Sequence, residues 1–494
     1  MKIRVVKTAS KATAVQVVSY QNNRRIILQH IGSAHCDAEL LELSTRAAEW
    51  IKSHSQQLSF FADENPNTLL NLNHCTFIGV RYNFFYQQIS ALQAKIGFDN
   101  LPPLLNDLVT TRIFNPASKL RSLELMEEYF GIKHSRKTYY KIAPTCIELK
   151  ETVQNRVLTF AQEHYSFSFD IVFYDVTTLY FETFEEDELR KNGFSKDSKS
   201  QQPQILVALM VTKEGFPIAY EVFRGNTFEG HTIIPVIDDF IKRNKVKAFT
   251  VVADAAMISS ENIDQLSRND INYIVGARLG NLSGELINLI DKQIERRDGS
   301  NIRMKTELGY LICSFSSARY RKDSFEMNKQ IEKAKQAIER PSKRKKIKFT
   351  KSGNQPLALN EELIEKTKKL LGIKGYYTNL EESVVSNSSI IERYHELYRI
   401  EQAFRVSKSD LQTRPIFHFK EQPIKLHILI CFMALVVSKH IEIKGGVSIR
   451  RFLDESKKIV DGRILNHMTD KTVSIRAKPT SLMAELLGKV FPPH

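Results

Sequence analysis

Ile171-Val-Phe-Tyr-Asp175-Val-Thr-Thr-Leu-Tyr180-Phe-Glu182 is the stretch on which the reading of this chain turns. Four apolar residues followed by an aspartate read as a buried strand that delivers a carboxylate at its C-terminal end. A turn or helix-capping aspartate is the plain alternative, but the residues after Asp175 stay β-branched and aromatic, which suits more strand. Ala248-Phe-Thr-Val-Val-Ala-Asp254 repeats the pattern. Strand ends are where an α/β sheet presents functional groups, so Asp175 and Asp254 are the first candidates for chemistry.

Outward from these two strands the periodicity switches regularly. Gln204–Thr212 and Phe216–Val222, joined by Lys213-Glu214-Gly215, read as a hairpin. Helices are expected over Thr232–Arg243 and Ser260–Arg268, with a strand over Ile271–Gly276. Three antiparallel strands followed by strand–helix–strand crossovers imply a mixed α/β sheet flanked by helices. Residues 279–370 interrupt that core with a strand pair, Ile302–Leu308 and Leu311–Phe315, turning at Gly309-Tyr310. A charged helix over Asp323–Glu339 and the basic run of residues 340–348 follow. The core resumes as a strand at Gly372–Asn379, an amphipathic helix from Ser388 to Leu411 and an apolar helix over Ile424–His440.

Ahead of the sheet, Val15, Val17, Ile26 and Leu28 flank a turn at Gln21–Arg24 and read as a hairpin; a helix over Asp37–Ser55 and a polar linker at Phe61–Asn67 come next. Residues 84–164 have mainly helical spacing, with Asn115 as a cap. Their Arg112, Lys119, Arg121, Lys133, Arg136, Lys137 and Lys141 suit a DNA-binding module or a solvated face equally. The expected organisation is a hairpin and helix in 1–60, a helical DNA-binding region in 61–165, core segments at 166–278 and 371–442 around an α+β insertion at 279–370, and a helical C-terminal region in 443–494.

The 494 residues are 42% hydrophobic and 26% charged, an ordinary globular composition that excludes disordered and fibrous classes. Five scattered cysteines form no CxxC pair, which argues against a disulfide framework or zinc site and for a reducing compartment. The basic N-terminus lacks the apolar segment of a signal peptide, and the longest apolar run, Ile428–Val437, is about half of what a bilayer needs. A cytoplasmic protein with no membrane role is expected. The net charge of +15 favours an acidic partner, most commonly nucleic acid. There is no GxxxxGK[ST] loop, so no nucleotide cofactor is expected, and no Ser-His-Asp or Cys-His arrangement is evident.

Two aspartates on neighbouring strands are hard oxygen ligands suited to Mg²⁺ or Mn²⁺. Two such ions about 4 Å apart stabilise the attacking and leaving oxygens of a phosphoryl displacement. A third carboxylate is wanted, and the long helix offers Glu392, Glu396 and Glu401. Glu401 adjoins Ile400, Ala403 and Phe404, the part of the helix most suited to face the sheet, although a surface ion pair with a nearby arginine is the plain alternative.

Phe173–Glu182, Gly193-Phe-Ser-Lys-Asp-Ser-Lys199, Pro203–Leu209, Gly215-Phe-Pro-Ile218 and Phe223-Arg-Gly-Asn-Thr-Phe-Glu229 together resemble the first catalytic region of bacterial insertion-sequence transposases of the DDE class. Val251-Val-Ala-Asp254-Ala-Ala-Met-Ile-Ser259 resembles their second acidic motif, and Tyr398–Leu411 with Arg414-Pro-Ile-Phe-His418 the third. The resemblance runs in consistent order over about residues 100–440. It implies a ribonuclease-H-like core in which Asp175, Asp254 and Glu401 form the catalytic, metal-binding triad for two Mg²⁺ or Mn²⁺ ions. The long stretch between Asp254 and Glu401 matches the subgroup with a strand-rich insertion.

That subgroup carries a Tyr-x2-Arg-x3-Glu-x6-Lys signature. Tyr394, Glu401 and Lys408 fall on it here, while Leu397 replaces the arginine. Tyr394, Arg399, Arg405, Lys408 and the cluster Lys343, Arg344, Lys345, Lys346 and Lys348 are the expected DNA contacts. His231 and His418 are expected as active-site support, with helix capping the alternative for His231. The implied activity is hydrolytic nicking at element ends and strand transfer, on double-stranded DNA of terminal inverted repeats and target, by a dimer in the DNA complex at the bacterial nucleoid. A nuclease or resolvase without strand transfer, and a catalytically silent DNA-binding descendant, are the competing readings.

Overall fold

In chain order the N-terminal elements are β1 (Lys2–Lys7), β2 (Thr13–Gln21), β3 (Arg24–Ala34), α1 (Asp37–His54) and β4 (Cys75–Arg81). Five helices follow: α2 (Asn83–Lys95), α3 (Pro103–Phe114), α4 (Lys119–Phe130), α5 (Arg136–Glu148) and α6 (Lys150–Tyr165). The central run is β5 (Val172–Tyr180), β6 (Gln204–Val211), β7 (Pro217–Arg224), α7 (Ile233–Asn244), β8 (Thr250–Ala253), α8 (Ser260–Arg268) and β9 (Asn272–Ala277). Then come α9 (Gly284–Gln293), β10 (Asn301–Thr306), β11 (Gly309–Phe315), α10 (Ser317–Glu339), α11 (Glu361–Lys369) and β12 (Ile373–Thr378). The chain continues with α12 (Asn387–His395), α13 (Tyr398–Arg405), α14 (Glu421–Gly445), α15 (Ile449–Ser456), β13 (Asp461–Asn466), β14 (Lys471–Arg476) and α16 (Ser481–Val490). This computed structural model describes every residue except 9–11, 22–23, 55–73, 195–200, 247–248, 258, 340–346, 352–357, 468–469 and 492–494. The polar linker, the tip of the first hairpin and Lys343, Arg344, Lys345 and Lys346 therefore lie outside the described residues.

The chain divides into two compact units. One comprises Met1–Gln88, Glu127–Ile132 and Asp454–Glu485. Its β1–β2–β3 sheet packs on α1 through Val15, Val17, Ala34, Leu43 and Ala47, the inward faces of alternating strands and of an amphipathic helix. A second sheet in this unit, ordered β14–β13–β4, joins strands from opposite ends of the sequence. It stands where a helical C-terminal region is expected above: Asp461–Asn466 and Lys471–Arg476 are strands, β13 laddered on β4 and β14 on the far side of β13.

The larger unit is a mixed sheet of eight strands ordered β10–β11–β12–β9–β8–β5–β6–β7, flanked by helices. β6 is buried along its whole length, as its Ile-Leu-Val-Ala-Leu-Met run requires. β5 and β9 run parallel to β8, whereas β6 and β12 run antiparallel to their neighbours. Strands β10 and β11 do not interrupt this sheet but extend it through β12. Their two-residue turn is Glu307-Leu308, and Gly309, with a left-handed φ of 87°, opens β11 rather than forming the turn. The helices of the same stretch close over a satellite cluster of Met327, Ala334, Phe349, Ile364 and Leu371. Helix α14 is long and apolar enough to cross a membrane, yet 89% of its apolar stretch is buried, with the sheet and the α3, α5 and α6 helices against it. A helix apolar all round is a core helix here.

Candidate active site

Asp175 lies in the middle of β5, not at its end. Pairing with β6 carries β5 on from Phe173 to Tyr180, past the point where β8 stops at Ala253. The parallel register Val172↔Val251, Phe173↔Val252, Tyr174↔Ala253 then brings Asp254, the first residue beyond β8, alongside Asp175. Adjacent strands are about 4.8 Å apart, so the two carboxylates stand side by side on neighbouring inner strands of the sheet, where β8 ends. Asp175 is half-buried and Asp254 exposed. Each accepts a bond on Oδ1 from the next backbone N–H, at 2.8 Å from Val176 and 2.7 Å from Ala255.

Tyr394 fixes Asp254 more firmly. Its hydroxyl donates to Asp254 Oδ1 at 3.0 Å, and the residue is 5% exposed, so it orients that carboxylate. Burial first, and then the Asp254 charge, push its pKa above the ordinary tyrosine range, which keeps the hydroxyl proton in place. Close approach requires Gly276 of β9: a Cβ there would stand 2.5 Å from the Tyr394 hydroxyl and 3.2 Å from the Ala255 Cβ. Gly276→Ala is expected to destabilise the fold by about 1–3 kcal/mol, as overpacking does. Tyr394→Phe in the same background should recover part of that loss, measured by urea unfolding.

The helix carrying Glu401 is not one regular helix from Ser388 to Leu411. α12 ends at His395, and i→i−3 bonds (Leu397 to Tyr394, Arg399 to Glu396, Ile400 to Leu397) tighten the path before α13. After Arg405 the chain loosens into a π-helical turn at Val406–Asp410. Tightening and loosening turn the helix so that α12 packs on β8 and β9 and α13 on β5 and β6. Tyr394 and Glu401 thereby cover the strands that bear the two aspartates. Such π turns recur at functional sites. Glu401 is exposed, and among the described residues its side chain makes no ion pair or hydrogen bond; the nearby Arg399 pairs instead with Glu396 at 3.7 Å. The charges of Asp254 and Glu401 both act on Tyr394 and on Lys374, the latter held below the usual lysine range by burial and Arg319.

Residues 167–437 match the family model described as the transposase DDE domain, more than half of the chain. The chain belongs to the transposase DDE-domain family. Among solved structures it is similar to a piggyBac transposase in its synaptic complex with hairpin DNA, at 11% identity and a TM-score of 0.38, covering 75% of this chain and 76% of that one. No curated protein matches the chain.

The DDE domain thus spans from just before β5 into α14 and contains Asp175, Asp254 and Glu401. Metal dependence is general in this family, and the donor chemistry here agrees: two in-register aspartates, one of them exposed with its hydrogen bonds ending on Oδ1, suit a hard divalent ion. Among the described residues no three His, Cys, Asp or Glu side chains are gathered closely enough to hold an ion as they stand.

The other expected site residues scatter. Leu397, in the arginine position of the signature, is buried at the helix junction. Arg399 and Arg405 line a separate cavity of about 630 Å³ with Glu214, Glu442, Lys439 and Arg450. Lys408 lies half-buried in the π turn. His231 is exposed with its ring against Phe228, 5.4 Å between centroids, and α7 takes Thr232, not His231, as its N-cap. His418 packs against His427 at 5.3 Å, beside Arg112 and Lys119. Lys348 joins Asp254, Tyr394, Arg319 and Lys374 around a cavity of about 630 Å³. Sequence reasoning missed Lys374 and Arg319. Lys374 carried a signal, a lone charge within the β-prone run Ile373–Thr378, whereas Arg319 is one of many charges on a polar helix.

Proposed function

We propose that this transposase cleaves DNA at the ends of its element and joins the freed 3′ ends to a target, with Asp175, Asp254 and Glu401 holding Mg²⁺ or Mn²⁺. The in-register placement of Asp175 and Asp254 carries this reading. When bound, the divalent ions stabilise charge on the attacking and leaving oxygens of an in-line phosphodiester displacement. The chain's own part is to hold the ligands still and the substrate in place. Tyr394 clamps the Asp254 carboxylate, leaving Oδ2 for coordination. Lys374, Arg319 and Lys348 supply positive charge beside Asp254 where a scissile phosphate would lie. The substrate is double-stranded DNA bearing terminal inverted repeats, together with a target duplex. Holding two ends at once calls for a dimer, acting at the nucleoid in the bacterial cytoplasm.

The test is a plasmid assay with the DNA that flanks the coding region as donor and Mg²⁺ in the buffer. Joined donor–target products are the expected result. Cleavage without joining would identify a nuclease or resolvase, and binding without cleavage a silent descendant.

A further inference from the structure

A further cavity, of about 230 Å³, lies away from the aspartates, between the α3–α4 connection and the segment Gln412–His418. It has room for several water molecules at ~30 Å³ each, hence for an oxyanion. Arg112, Lys119 and Arg414 line it together with His418 and His427, and no carboxylate is among the described residues around it. A concave surface that Arg112 and Lys119 line beside Arg414, with no carboxylate among its described lining residues, suits an anion.

The cations are held in place from outside the cavity. Arg112 donates to the Ala117 carbonyl at 2.9 Å, which ties it to the connection. The Lys119 ammonium stands 5.1 Å from the centre of the Tyr140 ring, with Arg136 on the same ring at 5.7 Å. Arg414 stacks 5.8 Å from the centre of the Tyr180 ring. The two histidines register the resulting field: burial, each other's proximity and the charges of Lys119 and Arg112 push His418 down to about 3, and burial and Arg112 do the same to His427. Both rings are therefore neutral and leave the cavity's charge to the three cations.

The cavity is also tied to the catalytic strand. Ile416 donates to the Tyr180 carbonyl at 3.3 Å and bridges to Phe181, so this segment is anchored to the end of β5. Tyr180 is five residues beyond Asp175, about 17 Å at about 3.3 Å per residue. A duplex rises about 3.4 Å per base pair, so DNA engaged at Asp175 brings backbone phosphates past this cavity within about five base pairs.

We infer that this cavity is a second DNA-backbone site, in which Arg112, Lys119 and Arg414 grip one phosphate of the duplex being cut. It rests on the proposed DNA cleavage and adds to it a contact that sets how the duplex lies across β5. The contact is to phosphate, so it acts on any sequence.

The experiment measures affinity for a fluorescein-labelled duplex by anisotropy, in EDTA so that no cleavage occurs, over a series of salt concentrations. Lys119→Gln is expected to reduce the slope of log K against log salt by about 0.9, one phosphate contact, equally for unrelated sequences. Arg414→Gln should do the same, and Lys119→Arg should restore the wild-type slope. Natively folded Lys119→Gln and Arg414→Gln proteins with the full slope would overturn the inference. So would a cavity whose variants lose only affinity for inorganic phosphate, since it would then serve a free anion. Loss of the cleavage reading shows separately, as wild-type protein that fails to cut in Mg²⁺ whatever the salt slopes are.

Discussion

Replacing Asp254 by alanine is expected to lower Mg²⁺-dependent DNA cleavage by at least ~10³-fold while leaving duplex affinity within a few-fold of wild type. Charge stabilisation by bound metal supplies several kcal/mol to a phosphoryl displacement, and each 1.36 kcal/mol is tenfold in rate. Asp254 is the exposed member of the in-register pair, and the hydrogen bonds that hold it converge on Oδ1, which under the proposed reading leaves Oδ2 for the ion. It closes no ion pair among the described residues and follows β8 rather than lying within it, so its removal should cost the fold little. Asp254→Asn is the sharper variant: the amide oxygen still accepts from Tyr394 and Ala255, which preserves geometry and removes the charge that a cation needs. Asp175→Ala and Glu401→Ala should behave alike in the same gel assay. A cleaving Asp254→Ala protein would sink the triad.

How much of this was legible before the structure differs from residue to residue. The runs of β5, β6 and β8 are apolar and rich in β-branched residues, so local composition suffices to find them, and with them the two aspartates. The register that sets Asp254 beside Asp175 is another matter, because parallel pairing across the β5–β8 interval is fixed by tertiary packing and not by either strand alone. Position within the strand was misjudged for the same reason: Asp175 looks terminal until β6 pairs with the residues after it. The Glu401 helix was legible as amphipathic, but its tightened and π-helical turns were not, since a single 3.6-residue period cannot report a change of winding. Tyr394 is legible through a signature, but its bond to Asp254 is not; only the missing side chain of Gly276 lets its hydroxyl reach that carboxylate. The β13–β14 hairpin escaped because the strand it builds on, β4, lies at the far end of the chain and pairs with β13.

Stability of the larger unit is expected to fall as pH drops from about 6.5 toward 5, well above the range where ordinary carboxylates titrate. Three histidines in this unit, His418, His427 and His440, are pushed from 6.5 to about 3, in each case first by burial. Neighbouring positive groups add to it: Arg112 and Lys119 near His418, Arg112 near His427, and Lys444, Lys95 and His164 near His440. The folded-state values lie below the unfolded one, so the unfolded chain binds these protons first. The stabilisation is thus complete above pH 6.5 and is lost progressively as pH falls toward 3, at about 1.4 kcal/mol per pH unit for each histidine that stays neutral in the fold. Urea midpoints measured between pH 7 and pH 5 should show this slope. His427→Gln isolates one contribution. His427 bonds the Thr413 carbonyl through Nε2 at 3.0 Å, and a glutamine amide can donate to the same oxygen without ever taking a proton. Its midpoint should therefore depend less on pH than the wild-type midpoint, by the share of one proton. Parallel profiles for the two proteins would mean that His427 takes up its proton in the folded chain, with the buried pair His418–His427 open to water.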